Sequence, residues 1–200
     1  MRGTAVRQNV KLVQTITKVI KVFYYASVVM LVLVACMALF TALGPDRYFT
    51  AERFANNKFT FELNGLLRYR LDPARLGEGG SLRDVYFSIA LAAAVYAVLF
   101  AFILHRLGEV MDTVAAENPF HRGNPKRIRD IGLAVMAAAF LIPAANSWVA
   151  LRMVRSFALE DFSILYSPDV VLAFTGLLLL VLAAVFDYGC YLQEEIDQTV

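Results

Sequence analysis

Opposite charges gather at two places far apart in this chain. Arg122, Lys126, Arg127 and Arg129 fall within residues 122–129, and Asp187, Glu194, Glu195 and Asp197 fall within residues 187–200, a stretch with no base. Two outcomes are open to such a pair. The charges neutralise one another as a self-contained cap, at about 0–1 kcal/mol per exposed ion pair, or they form a docking surface for a soluble partner. A helix through the acidic stretch would place Tyr188, Leu192, Ile196 and Val200 on one stripe, the form an amphipathic helix presents to a groove. Metal chemistry is a poorer match. His105, His121 and Cys190, with Asp187 and Glu194 nearby, follow no zinc-ligand spacing. The sequence has no nucleophile elbow, phosphate loop or paired-carboxylate arrangement, so the expectation is a non-enzyme with no catalytic residues and no cofactor.

The elements that must position these charges are set by lipid. Residues 22–43, 85–104, 131–151 and 170–186 carry no charged side chain, over 22, 20, 21 and 17 residues. A helix needs about 20 residues to cross a hydrocarbon core. Inside that core each backbone N–H and C=O must be satisfied within the segment, so the spans are helices. With 59% apolar residues and a mean hydropathy of +0.59, the chain is too apolar for a soluble domain. It reads as a single membrane domain, 1–200. A net charge of +2, with its 19 bases spread over every polar segment, argues against direct nucleic-acid binding. Residues 22–43 exceed a cleavable signal core of about 7–15 residues, so this span is expected to be retained. Cys36 and Cys190 lie at different depths and are not expected to bridge.

Orientation follows from the first span. Arg2, Arg7, Lys11, Lys18 and Lys21 precede it with no acid among them, which places both termini in the cytoplasm. The loop 106–130 and tail 187–200 are then cytoplasmic, and the loop 44–84 faces outward. In that outer loop, alternation around Asn64-Gly65 signals a β-hairpin pairing Leu63 with Leu67, Phe61 with Tyr69 and Phe59 with Leu71, with a bulge at the turn. Ser81 and Asp84 then resemble a capping box for the second long helix. On the inner side, Leu104, Leu107, Met111 and Val114 continue the second helix past the membrane until Asn118-Pro119. Asn124-Pro125 reads as N-cap and first-turn proline of the third.

Within the spans the polar residues are Ser27, Thr41, Ser88, Asn146, Ser147 and Thr175, none ionisable. That counts against a pump or coupled transporter, which places ionisable groups at depth. Asn146 is the costliest to hold in lipid. It follows Pro143, and its amide is expected to bond a neighbouring helix or the carbonyl that the proline frees; a small-ligand site is the alternative. Ala93, Ala97 and Ala101, with Ala134, Ala138, Ala139, Ala144 and Ala145, suit close helix packing, or association between copies.

Residues 118–132, running from Asn118-Pro119-Phe120 to Ile131-Gly132, and residues 185–200 resemble the bacterial domain-of-unknown-function 2975 family. The matching positions are Pro119, Phe120, Asn124, Arg127, Ile131 and Gly132, then Gly189, Leu192, Gln193, Glu195, Asp197, Thr199 and Val200. The resemblance implies a small four-span protein of the bacterial inner membrane. It further implies a partner, because such proteins are often encoded beside a small Cro/C1-type helix-turn-helix regulator.

The combined expectation is an all-α membrane protein, a four-transmembrane-helix bundle with a small extracytoplasmic β-hairpin. It would sense or transmit an envelope state and hold a cytoplasmic regulator. Candidate contact residues are Pro119, Phe120, Asn124, Arg127, Arg129, Leu192, Gln193, Glu195 and Asp197. A small channel or transporter subunit built as a homo-oligomer, and a structural accessory subunit of a membrane complex, are the alternatives.

Overall fold

The computed structural model describes residues 2–49, 59–63, 67–71, 82–156 and 163–199. Four long helices dominate: α1 (Arg2–Leu43), α2 (Arg83–Ala115), α3 (Asn124–Ser156) and α4 (Val170–Thr199). A 3-10 turn, Asp46–Tyr48, follows α1, and strands β1 (Phe59–Leu63) and β2 (Leu67–Leu71) precede α2. The strands are antiparallel, with Phe59 opposite Leu71, Phe61 opposite Tyr69 and Leu63 opposite Leu67. The bulge expected at Asn64-Gly65, the Ser81 cap and the glycine-punctuated stretch 72–80 lie outside the described residues.

Each helix contains a stretch long and apolar enough to cross a membrane, and each outruns its charge-free core. α4, at 30 residues, spans about 45 Å at 1.5 Å per residue, against a hydrocarbon core of about 30 Å. The second sign of lipid is what the helices hide. On α1 the buried positions are Thr17, Ile20, Ser27, Val34 and Thr41, while Val22, Phe23, Val29, Leu33 and Leu39 are exposed. On α2 the buried set includes Ser88, Ala90, Ala92 and Ala97, and Leu91, Val98 and Phe100 face outward. Small residues inside and large apolar residues outside is the reverse of a water-soluble core, and it is how helices pack where lipid is as apolar as leucine. The chain is therefore a multi-pass helical membrane protein.

The buried hydroxyls are satisfied by their own helices. Ser27 donates to Tyr24 O at 2.7 Å, Thr41 to Ala38 O at 2.8 Å and Ser88 to Val85 O at 2.7 Å. None of these is a poised polar site.

The chain divides into two compact units. The first comprises Met1–Leu31, Tyr96–Leu141 and Pro168–Val200. Within it, Lys21 of α1 pairs with Asp112 of α2 at 2.8 Å, and the Tyr24 and His105 rings lie 5.4 Å apart. α3 and α4 meet at two glycines. A Cβ on Gly176 would fall 2.8 Å from the Met136 backbone N and 2.9 Å from Gly132 O, so only a bare backbone fits. The start of α4 is fixed by Asp169, whose carboxylate accepts the Leu172 N–H at 2.9 Å as an N-cap. The Asp169 N–H itself donates to Ala139 O at 2.9 Å. That carbonyl lacks its usual helical donor, because the residue four positions on is Pro143. The proline thus opens an acceptor in α3 that the entry to α4 fills.

The second unit comprises Val32–Val95 and Ile142–Ser167. Here the buried Leu82 donates its N–H to Phe49 O at 2.9 Å, and its own carbonyl accepts from Tyr86 at 3.0 Å to open α2. Arg83 bonds Gly44 O, pairs with Asp46 at 3.1 Å and stacks over the Phe49 ring at 5.2 Å. Arg152 stacks over Trp148 at 4.9 Å and lies 3.5 Å from Asp84. Asn146 is exposed on this unit.

Candidate functional site at the start of α3 and the end of α4

The end of α2 sets the turn. Asn118 N–H donates to Thr113 O at 3.0 Å and Glu117 N–H to Val114 O at 3.0 Å, the paired bonds of a Schellman motif. Such a motif needs a left-handed residue at its centre, and Glu117 takes that role with φ 60°. Glycine is the usual occupant, because a Cβ costs about 1–2 kcal/mol there. Pro119 follows and prevents any continuation of the helix.

Asn124 then locks the turn. It is fully buried, and its Nδ2 donates to Thr113 Oγ1 at 2.7 Å and to Pro119 O at 2.9 Å. Its Oδ1 accepts from Arg127 Nη1 at 3.0 Å. The expected N-cap role therefore shifts by one residue: the first helical bond runs from Arg127 N–H to Gly123 O at 3.2 Å, which makes Gly123 the cap position. The Asn124 side chain turns back to tie α2, the turn and α3 together.

Arg127 extends the joint. Its Nη1 also donates to Glu109 O at 3.3 Å, and its Nε lies 3.7 Å from Glu109 Oε2. Arg106 holds the same carboxylate at 2.9 Å and reaches Asp130 at 3.2 Å. The hydrogen bond from Arg106, aided by the charges of Arg106 and Arg127, keeps Glu109 below the usual glutamate range.

The tail is fastened to this turn from the other side. Arg122 grips the Glu194 carboxylate with two nitrogens, Nη2 to Oε2 at 2.6 Å. Both groups are at the surface. The Arg122 hydrogen bond holds Glu194 below its usual range. Cys190 is buried, and its thiol donates to Phe120 O at 3.1 Å. Burial first, then the nearby Asp187 and Glu194 charges, push that thiol's pKa up, so it stays protonated. The Phe120 ring sits 5.8 Å from that of Phe186, and a Cβ on Gly189 would meet it at 3.0 Å.

The residues expected at the site thus divide by what they touch. Asn124 and Arg127 are committed to the joint, and Pro119 supplies it with an acceptor. Phe120 packs on α4 with part of its ring exposed. Arg129, Leu192, Gln193 and Glu195 lie at the surface, Glu195 accepting from Tyr191 OH at 2.7 Å. Asp197 and Thr199 belong to α4, and Val200 lies outside the described residues. Asn146 falls in the second unit. Glu109, Thr113 and Cys190 were not anticipated as parts of the joint. The available signal was the run of polar residues that continues α2 beyond its charge-free span.

Four apolar helices with a polar joint at the α2–α3 turn define a small multi-pass membrane protein. A family model described as "Protein of unknown function (DUF2975)" matches residues 72–200. The chain belongs to that family. No curated protein and no solved structure matches.

Proposed function

We propose that this is a non-enzymatic protein of the bacterial inner membrane that docks a soluble regulator on the α2–α3 turn and the end of α4. In this reading both termini and the 106–130 loop are cytoplasmic, and β1 and β2 face outward. The regulator is a small helix-turn-helix protein, as the family resemblance implies. The supporting observation is the division of α4 beyond residue 186. One face, with Gly189, Cys190 and Glu194, is fastened to residues 120–122. The other leaves Tyr188, Leu192 and Ile196 exposed at 64%, 40% and 64%. An apolar stripe beyond the charge-free span, on a helix already anchored along its opposite face, is pre-organised for a partner's groove.

Docking is tested by tagging the full-length chain in its native host and identifying what purifies with it. The reading expects a DNA-binding protein that is retained by the parent and lost from Leu192→Asp/Ile196→Asp. It fails if no such protein co-purifies, or if the double variant retains it fully.

A further inference from the structure

Within the first unit, α3 and α4 leave a groove of about 510 Å³ between them, and its lining changes character along its length. Leu133, Leu180 and Ala184 form one end, inside the charge-free stretches 131–151 and 170–186. Lys126, Arg129 and Asp187 form the other, just outside those stretches. Arg122 also borders it, but its charge is engaged by Glu194. Lys126 and Arg129 are exposed, and neither has an ion-pair partner among the described residues.

We propose that this groove binds one anionic glycerophospholipid, its phosphate between Lys126 and Arg129 and an acyl chain along Leu133, Leu180 and Ala184. The groove crosses from hydrocarbon to headgroup level, and a phospholipid makes the same step from apolar to anionic. Basic pockets between membrane-spanning helices hold such headgroups. A soluble anion would use the cations and leave the apolar end unfilled; an uncharged lipid would do the reverse. Asp187 opposes a second negative charge and offers an acceptor, which favours a headgroup with one phosphate and free hydroxyls, as in phosphatidylglycerol. The site requires no partner protein, so it stands or falls separately from the docking reading.

The test is native mass spectrometry of the full-length protein released from micelles containing equimolar phosphatidylglycerol and phosphatidylcholine. The parent is expected to retain phosphatidylglycerol selectively. Lys126→Gln/Arg129→Gln should lower that selectivity about tenfold or more, and the charge-matched Lys18→Gln/Arg155→Gln should leave it intact. Ala184→Trp fills the apolar end without altering charge and should also abolish it, which separates a filled groove from a lost charge. Excess inorganic phosphate should not displace the lipid. The proposal is overturned if the Lys126/Arg129 variant keeps the parent's selectivity, if the Ala184 variant does, if the charge-matched control loses it equally, or if phosphate competes.

Discussion

Neighbouring positions in the first turns of α3 have opposite fates. Asn124 and Arg127 point into the joint, where protein atoms occupy both Asn124 amide donors and its carbonyl oxygen. Lys126 and Arg129 point away, into the groove shared with α4. Both pairs belong to one polar run, yet the first is spent on structure and the second is left available. Polarity at a span end is therefore no guide to function until the partners of each group are known. A buried amide with both donors and its oxygen bonded rigidifies the turn, whereas exposed cations without partners contribute little to stability.

That contrast is most exposed to failure at Asn124. Asn124→Asp keeps the shape but turns two donors into acceptors facing Thr113 Oγ1 and Pro119 O, and should cost about 3 kcal/mol, read as a lower thermal midpoint of the purified protein. Gly176→Ala probes the contact beneath the groove. Its Cβ would meet the Met136 N and Gly132 O, backbone atoms that cannot rotate aside, so a loss of about 1–3 kcal/mol is expected. Glu117→Gly should act in the opposite direction, raising stability by about 1 kcal/mol by relieving the left-handed residue in the Schellman turn.

Acid should loosen the joint before the spans. Glu109 and Glu194 have folded pKa values below their unfolded ones, so their contribution is present above the ordinary glutamate value of about 4.3. It is lost as pH falls through the lower folded value. Hydrogen exchange at residues 106–130 should rise in that window while the spans stay protected. The smallest effect belongs to Arg122→Gln. It removes a surface pair and should change the thermal midpoint little, while freeing the tail for faster exchange.

The spans were legible because lipid excludes charge over a fixed length, a constraint that acts locally on the sequence. α2 ends before Asn118-Pro119, as anticipated, but the turn rests on a left-handed Glu117 where glycine would have been the signal. Asn124 was recognised as a helix-start residue from its neighbours alone. Its partners, Thr113 and Pro119, are brought to it by the turn, so its bridging role depends on tertiary structure. The carbonyl freed by Pro143 was foreseeable; that Asp169, thirty residues on from Ala139, would fill it was not. The alanine stripes suit small-residue packing, and α3 and α4 also approach closely at Gly132 and Gly176. One glycine in α3 and two in α4, thirteen residues apart, carry no helical periodicity.

The most direct test is to compare thermal unfolding of Asn124→Asp and Lys126→Gln/Arg129→Gln in one detergent free of phospholipid, so that no bound lipid adds to the parent's stability. The division between joint and groove predicts a midpoint several degrees lower for the first and close to the parent's for the second. Equal losses in the two variants, or a loss confined to the second, would contradict it.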